Sequence, residues 1–315
     1  MTGPIQSIVL GVASLSGDDP GGATHQDPAF ASAVALARAL HATLHAVHVF
    51  ELPAPALAGL DLPPPGLEMR ERWRAEIGRR LHEQAARFSG VEVVCHAIEG
   101  SPAVTLRDVA ARLGAALLVV GATRRGRFWR GILGSTAEGV VRAATVPVLV
   151  LHEPLTMPMR RVLLTTDLSD ESMALLRRGM GTVRSLAQAA SELELLAVVS
   201  VDPLVTQPHA ETELLSRAGE AVHRIAAELG RNVGGRVRGG EPAVEIMREA
   251  EEWKADVVVL GTHGRSGYRP LWLGSTATAA ARAVSCNVLV IPGAAESAPA
   301  APPRAWEEQG TAALV

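Results

Sequence analysis

Two glycine-bearing stretches carry the residue types best suited to grip an anion. One reads Gly261-Thr262-His263-Gly264, then nine residues, then Gly274-Ser275-Thr276. The other lies 140 residues earlier and reads Gly121-Ala122-Thr123-Arg124, nine residues, then Gly134-Ser135-Thr136. Glycine permits a positive φ or lets a ligand approach the backbone closely. A helix that opens at Gly-Ser-Thr presents unpaired N–H groups and the positive end of its dipole, which suit phosphate oxygens. The Ser275 hydroxyl adds a donor. Thr166 and Asp167 end an apolar run in the same half. From there the Asp167 carboxylate could accept ribose hydroxyls or help hold a metal.

The two copies are unequal. Aligning Ser7–Leu10 with Arg161–Leu164 sets Ala13 where the second half has Asp167, and Arg124 stands in place of Gly264. A large side chain there crowds the phosphate path if the backbone needs a positive φ. Arg124, Arg125, Arg127 and Arg130 could instead meet an anion directly or form a solvated surface. Phe128 and Trp129 lie among them, which leaves a stacking platform open beside the simpler role of anchoring the loop.

The elements that must position these residues repeat as well. Positions 101–150 and 241–290 align without a gap and are identical at 18 of 50 sites, against roughly three or four from typical residue usage. First strands are expected at Ile5–Val12 and Val162–Thr166. A helix follows at Pro28–Leu40 after an insertion at Ser16–Asp27, and another after Asp167, capped by Ser169 or Asp170. Second strands read Thr43–Phe50 and Leu193–Val201, helices Leu67–Phe88 and Glu211–Leu229, and third strands Val91–Ile98 and Asn232–Val237. Helices then start at Pro102 and Pro242, where a first-turn proline does no harm. Apolar strands at Ala116–Val120 and Asp256–Leu260 run onto Gly121 and Gly261. The last strands are Val146–Leu151 and Asn287–Ile291. This alternation predicts an α/β chain of two tandem, doubly wound, five-stranded parallel-sheet domains. The 3% aromatic content beside 48% hydrophobic residues fits aliphatic packing of that kind. The expected boundaries are a first domain at 1–152, a linker at 153–159, a second domain at 160–292 and a disordered tail at 293–315.

This constellation resembles the universal stress protein family, whose ATP-binding members carry G-x2-G-x9-G-[ST] after the fourth strand and an aspartate after the first. The resemblance spans residues 5–152 and 160–292. It implies an adenine-nucleotide α-hydrolase-like fold and an ATP site at Thr166, Asp167, Gly261, Gly264, Gly274, Ser275 and Thr276. Val201 falls at the position that packs near adenine, and Mg2+ would reach the site through Asp167. A weaker second site would comprise Val49, Gly121, Arg124, Gly134, Ser135 and Thr136. Relatives pair through their last strands, which implies the same for Val146–Leu151 and Asn287–Ile291. The resemblance also implies a cytoplasmic stress-response regulator whose conformation or partner affinity follows nucleotide. Association of two chains is left open.

Other chemistries lack their residues. The one lysine, Lys254, follows Glu-Glu-Trp and not a glycine loop, so there is no P-loop. A net charge of −3 argues against nucleic-acid binding by bulk electrostatics, and the apolar runs are too short to span a bilayer. Cys95 and Cys286 have no zinc spacing and fit a reduced compartment; Cys286 reads as a small core residue. His45 and His48 would point to opposite faces of a strand, so with His41 they make no shared metal site. His263 could touch phosphates or support its turn. No catalytic set emerges, and nothing positions a water for more than slow ATP hydrolysis. Two alternatives remain: a nucleotide-independent interaction scaffold, and an adenylate-forming enzyme, whose SGGxDS or HIGH/KMSKS-type signatures are absent.

Overall fold

A computed structural model of the chain describes residues 5–15, 27–51, 56–57, 60–61, 66–122, 133–200, 208–262, 274–293 and 312–314. The N-terminal half runs β1 (Ser7–Gly11), α1 (Pro28–Leu40), β2 (Thr43–Phe50), the short pair β3 (Ala56–Leu57) and β4 (Leu60–Asp61), α2 (Leu67–Ala85), β5 (Val93–Glu99), α3 (Pro102–Arg112), β6 (Leu117–Gly121), α4 (Ser135–Ala143) and β7 (Val148–Leu151). The C-terminal half runs β8 (Met159–Thr166), α5 (Asp170–Leu186), β9 (Ala187–Val199), α6 (Pro208–Leu229), β10 (Val233–Gly239), α7 (Pro242–Glu252), β11 (Val257–Gly261), α8 (Ser275–Ala283) and β12 (Asn287–Ile291), with β13 (Ala312–Leu314) beyond.

Helix starts follow local chemistry. Asp27 caps α1 by accepting from Ala29 N, and Ser169 caps α5 by accepting from Ser172 N. Proline opens α3 and α7, and the Glu241 carboxylate accepts from Ala243 N and Val244 N at the head of α7.

One continuous sheet of eleven strands has the order β10-β9-β8-β11-β12-β7-β6-β1-β2-β5-β13. Read within each half, the order is third, second, first, fourth and fifth strand, all parallel. The order therefore reverses between β1 and β6 and again between β8 and β11, the two places where such sheets open a ligand crevice. The halves join where β7 and β12 run antiparallel, with Leu149 opposite Leu289. This pairing removes two edges that would otherwise be open templates for association.

Alternate side chains along the strands feed two apolar layers. Leu10, Leu44, Val162 and Leu164 pack beneath α1, α2, α5 and α6, while Val9, Leu118, Leu163 and Val258 pack beneath α3, α4, α7 and α8. Polar contacts then fix the halves to each other. Asn287 Oδ1 accepts from His152 N at 3.0 Å and from Glu153 N at 3.2 Å. Glu138 on α4 accepts from Arg282 on α8, and Ser32 Oγ accepts from Leu155 N at 3.0 Å. Among the described residues no helix is long and apolar enough to cross a membrane.

Several boundaries differ from expectation. The first strand of the second half starts at Met159 rather than Val162, and β9 starts at Ala187 rather than Leu193. Leu186 passes straight into extended backbone at Ala187, and the Met159–Ala187 pairing is offset from the rest by an irregularity before Arg161. The third strand there is displaced to Val233–Gly239. Beyond β12, Ala312–Leu314 adds antiparallel to Val93–Cys95 of β5. That edge strand offers unpaired backbone groups, which an extended segment satisfies.

Candidate functional site

In the second half the strand ends and helix starts meet around a cleft of about 580 Å³. Its floor is the end of β8, its sides the ends of β9 and β11 and the start of α8, and its walls come from α6 and α7. Most of the expected site residues are therefore together: Thr166, Asp167, Gly261, Gly274, Ser275 and Thr276 all line it. Val201 and Gly264 lie outside the described residues, as do His263, Arg124, Arg125, Arg127, Phe128, Trp129 and Arg130.

At the end of β8, a chain of short polar side chains holds the backbone. Thr165 Oγ1 donates to Val259 O at 2.8 Å, tying β8 to β11 across the switch point. Thr166 Oγ1 accepts from Leu168 N and from Ser172 Oγ, each at 3.0 Å, so its hydroxyl is engaged by α5. Asp167 Oδ1 accepts from Ser169 N at 3.0 Å and from Ser169 Oγ at 2.6 Å. Ser169 in turn accepts from Ser172 N at 3.2 Å, so one serine both caps α5 and orients the carboxylate. Between them Leu168 sits at φ 63°, a left-handed conformation costing a residue with Cβ about 1–2 kcal/mol. Strain of this kind persists only where neighbours over-determine it.

The opposite side is the head of α8. Gly274 N donates to Thr262 O at 2.9 Å, and Gly274 O accepts from Thr278 N at 2.9 Å. The helix thus satisfies its own amides only from Thr278 onward, and among the described residues no side chain caps it. Ser275 and Thr276 are exposed. Gly274 has φ −55°, so a left-handed turn is not its reason for being glycine. Thr262 is buried, donating its amide to Ile291 O at 3.1 Å and accepting from Gly293 N at 2.8 Å through Oγ1. Val198, Ile246 and Leu260 make one part of the lining apolar, while Leu214 and Arg217 come from α6. These last residues carry no motif. The only sequence signal for α6 is the apolar spacing of Leu214, Ala218 and Ala221 along one helical face.

The first half reproduces the scaffold without the polar floor. Gly134 N donates to Ala122 O at 2.6 Å, and Gly134, at φ −62°, starts α4 with Ser135 and Thr136 exposed behind it. Gly121 ends β6 opposite Leu151. Val49 is half-buried against the layer beneath α3 and α4. Where the second half has Thr165, Thr166 and Asp167, the first has Gly11, Val12 and Ala13. A Cβ at Gly11 would stand 2.8 Å from Leu106 Cδ1, so Leu106 occupies the direction that the Thr165 side chain takes. The carbonyl of Val12 is engaged by His48 Nδ1 at 2.9 Å.

The histidines expected not to converge go to separate places. His41 closes α1 in a left-handed conformation, His48 reaches Val12, and His45 meets His96 of β5. Burial pushes both cysteine thiols up to about 12, and Cys286 is a buried residue as its position suggested.

Comparison with known proteins agrees with this architecture. The universal stress protein family model matches twice in tandem, over residues 15–152 and 158–292. The universal stress protein Rv2623 of Mycobacterium tuberculosis is 32% identical over 251 residues, covering 73% of this chain and 81% of that protein. The universal stress protein MJ0531 of Methanocaldococcus jannaschii is 32% identical over 142 residues, 42% of this chain and 81% of its own length. Among solved structures, a putative universal stress protein from Pseudomonas aeruginosa superimposes with a TM-score of 0.62 at 19% identity, covering 92% of this chain and 94% of that one, a likeness of fold. Matched by its family along nearly the whole sequence, the chain belongs to the universal stress proteins and carries their domain twice.

Proposed function

We propose that the chain is a cytoplasmic stress-response regulator that binds ATP in its C-terminal domain, and that nucleotide occupancy sets its conformation or its affinity for a regulatory protein partner. The observation that carries this reading is the cleft at the β8/β11 switch point, where an oriented Asp167 faces a helix start that no side chain caps among the described residues. Its volume of about 580 Å³ falls within the range of small-molecule pockets. The first-turn amides of α8, with the Ser275 and Thr276 hydroxyls, suit phosphate oxygens. The Asp167 carboxylate suits ribose hydroxyls or a phosphate-bound Mg2+ ion, and the apolar part at Val198, Ile246 and Leu260 suits a base.

A structural role for the N-terminal domain is favoured by a separate observation. Leu106 fills the space over Gly11, and the strand end there offers Val12 and Ala13 in place of a hydroxyl and a carboxylate. The expected stoichiometry is one nucleotide per chain. Mass spectrometry of nucleotide released from the purified protein, followed by calorimetric titration with ATP, tests both statements. Absence of ATP binding would leave the interaction scaffold as the function of both halves, and two equal sites would overturn the asymmetry.

A further inference from the structure

The N-terminal domain holds a pair of imidazoles that the nucleotide cleft does not use. His45 on β2 and His96 on β5 lie on the same face of the sheet, and His45 Nδ1 stands 3.2 Å from His96 Nε2. Their ring centroids are 5.4 Å apart with planes inclined by 30°. The register fixes this contact: His45 follows Leu44, which pairs with Val93, and His96 lies three residues beyond Val93. The same diagonal in the C-terminal domain, counted from the Leu193–Val233 pair, joins Glu194 to Arg236. There the contact is an ion pair, with Arg236 Nε 3.0 Å from Glu194 Oε1 and the buried Glu249 also engaged. One slot in the duplicated fold is thus closed by opposite charges in one half and occupied by two imidazoles in the other.

We infer that His45 and His96 chelate a divalent transition ion of the zinc type. Two nitrogens bound at roughly 2.0–2.1 Å to a tetrahedral ion stand about 3.3 Å apart, so the spacing of the pair meets that requirement, and each ring turns to aim its lone pair at an ion lying beside the line between them. Imidazole nitrogens select zinc, copper or nickel over magnesium and calcium. Burial depresses the proton affinity of both rings, and His96, which feels His45 as well, falls to about 4. Both are accordingly neutral at pH 7, the form that binds metal. The ion takes the place of the single hydrogen between the two nitrogens. The ring that carried this hydrogen keeps one N–H by holding it on its other nitrogen. Glu92, hydrogen-bonded to Thr43 Oγ1 at 2.9 Å, places a negative charge near His45 and favours a cation. Among the described residues no third side chain completes the group, so the site is a two-imidazole chelate with open positions for water or a further ligand.

The test is calorimetric titration of the tag-free full chain with Zn2+, in wild type and in His45→Asn, His96→Asn and the surface control His209→Asn. The expected result is one site per chain, weakened at least about tenfold in either of the first two variants and unchanged in the control. Equal Zn2+ affinity in wild type and His96→Asn, or none in wild type, overturns the assignment. X-ray absorption on the Zn2+-loaded wild type does not depend on how the variants fold. It should count two imidazoles on the ion; one or none contradicts the proposal.

Discussion

The amide of Gly274 donates to the carbonyl oxygen of Thr262 at 2.9 Å, which holds the two residues flanking the glycine-rich stretch against each other. Gly134 and Ala122 repeat the bond at 2.6 Å in the N-terminal domain. What the duplication kept is this closure of the loop base; what it let diverge is the polar floor beneath it. In the proposed function, ligand binding belongs to the half in which Asp167 remains.

Asp167 and Ser169 separate binding from stability. Asp167→Ala should weaken ATP binding roughly tenfold, the scale of one hydrogen bond to a charged group, with a small change in melting temperature. Ser169→Ala removes the α5 cap as well as a support of Asp167, so it should cost about 1 kcal/mol of stability. Calorimetry with ATP and urea unfolding of both variants distinguish them; a greater stability loss in Asp167→Ala than in Ser169→Ala would contradict these roles.

Asn287 bears on the union of the halves. Its Oδ1 accepts two backbone amides from the segment that leaves β7. Asn287→Ala leaves those donors without their protein acceptor and should cost about 1–3 kcal/mol, and Asn287→Asp, which keeps the acceptor but buries a carboxylate near Glu153 and Asp256, should cost at least as much at neutral pH. Unfolding curves measure both. ATP affinity should be unchanged in each, because Asn287 lies at the opposite end of β12 from the glycine loop.

In the metal-free protein His96 should impose a pH dependence on stability. Its folded pKa, about 4, lies below the ordinary histidine value of 6.5, because burial and the neighbouring His45 disfavour the charged ring. Between those values the unfolded chain binds more protons than the folded one. Stability is therefore present above about pH 6.5 and is lost as pH falls toward 4, by up to a few kcal/mol. His96→Asn should flatten this slope in unfolding measurements at pH 7 and pH 5. An equal slope in wild type and variant would exclude His96 as its source.

The fold was legible in the sequence because its strands are continuous apolar runs ending on glycine, and because two copies could be checked against each other. Asp167, Gly261 and Gly274–Thr276 were legible for the same reason, since each sits at a strand end or helix start. Leu214 and Arg217 were not, because α6 reaches the cleft by tertiary packing and its residues follow no spacing tied to the loop. The His45–His96 contact was hidden because it depends on the register of two strands whose histidines are 51 positions apart. The place of Ala312–Leu314 was hidden too: a short Ala-rich segment acquires a partner only once the β5 edge exists.

In the proposed function only the C-terminal half holds ATP, and Gly264→Arg tests this by giving the C-terminal loop the residue of the N-terminal one. Calorimetric titration should show one ATP per chain in wild type and loss of most binding in Gly264→Arg, with the melting temperature in the absence of ATP nearly unchanged. Unchanged ATP affinity in that variant would place the nucleotide elsewhere and overturn the asymmetry of the two halves.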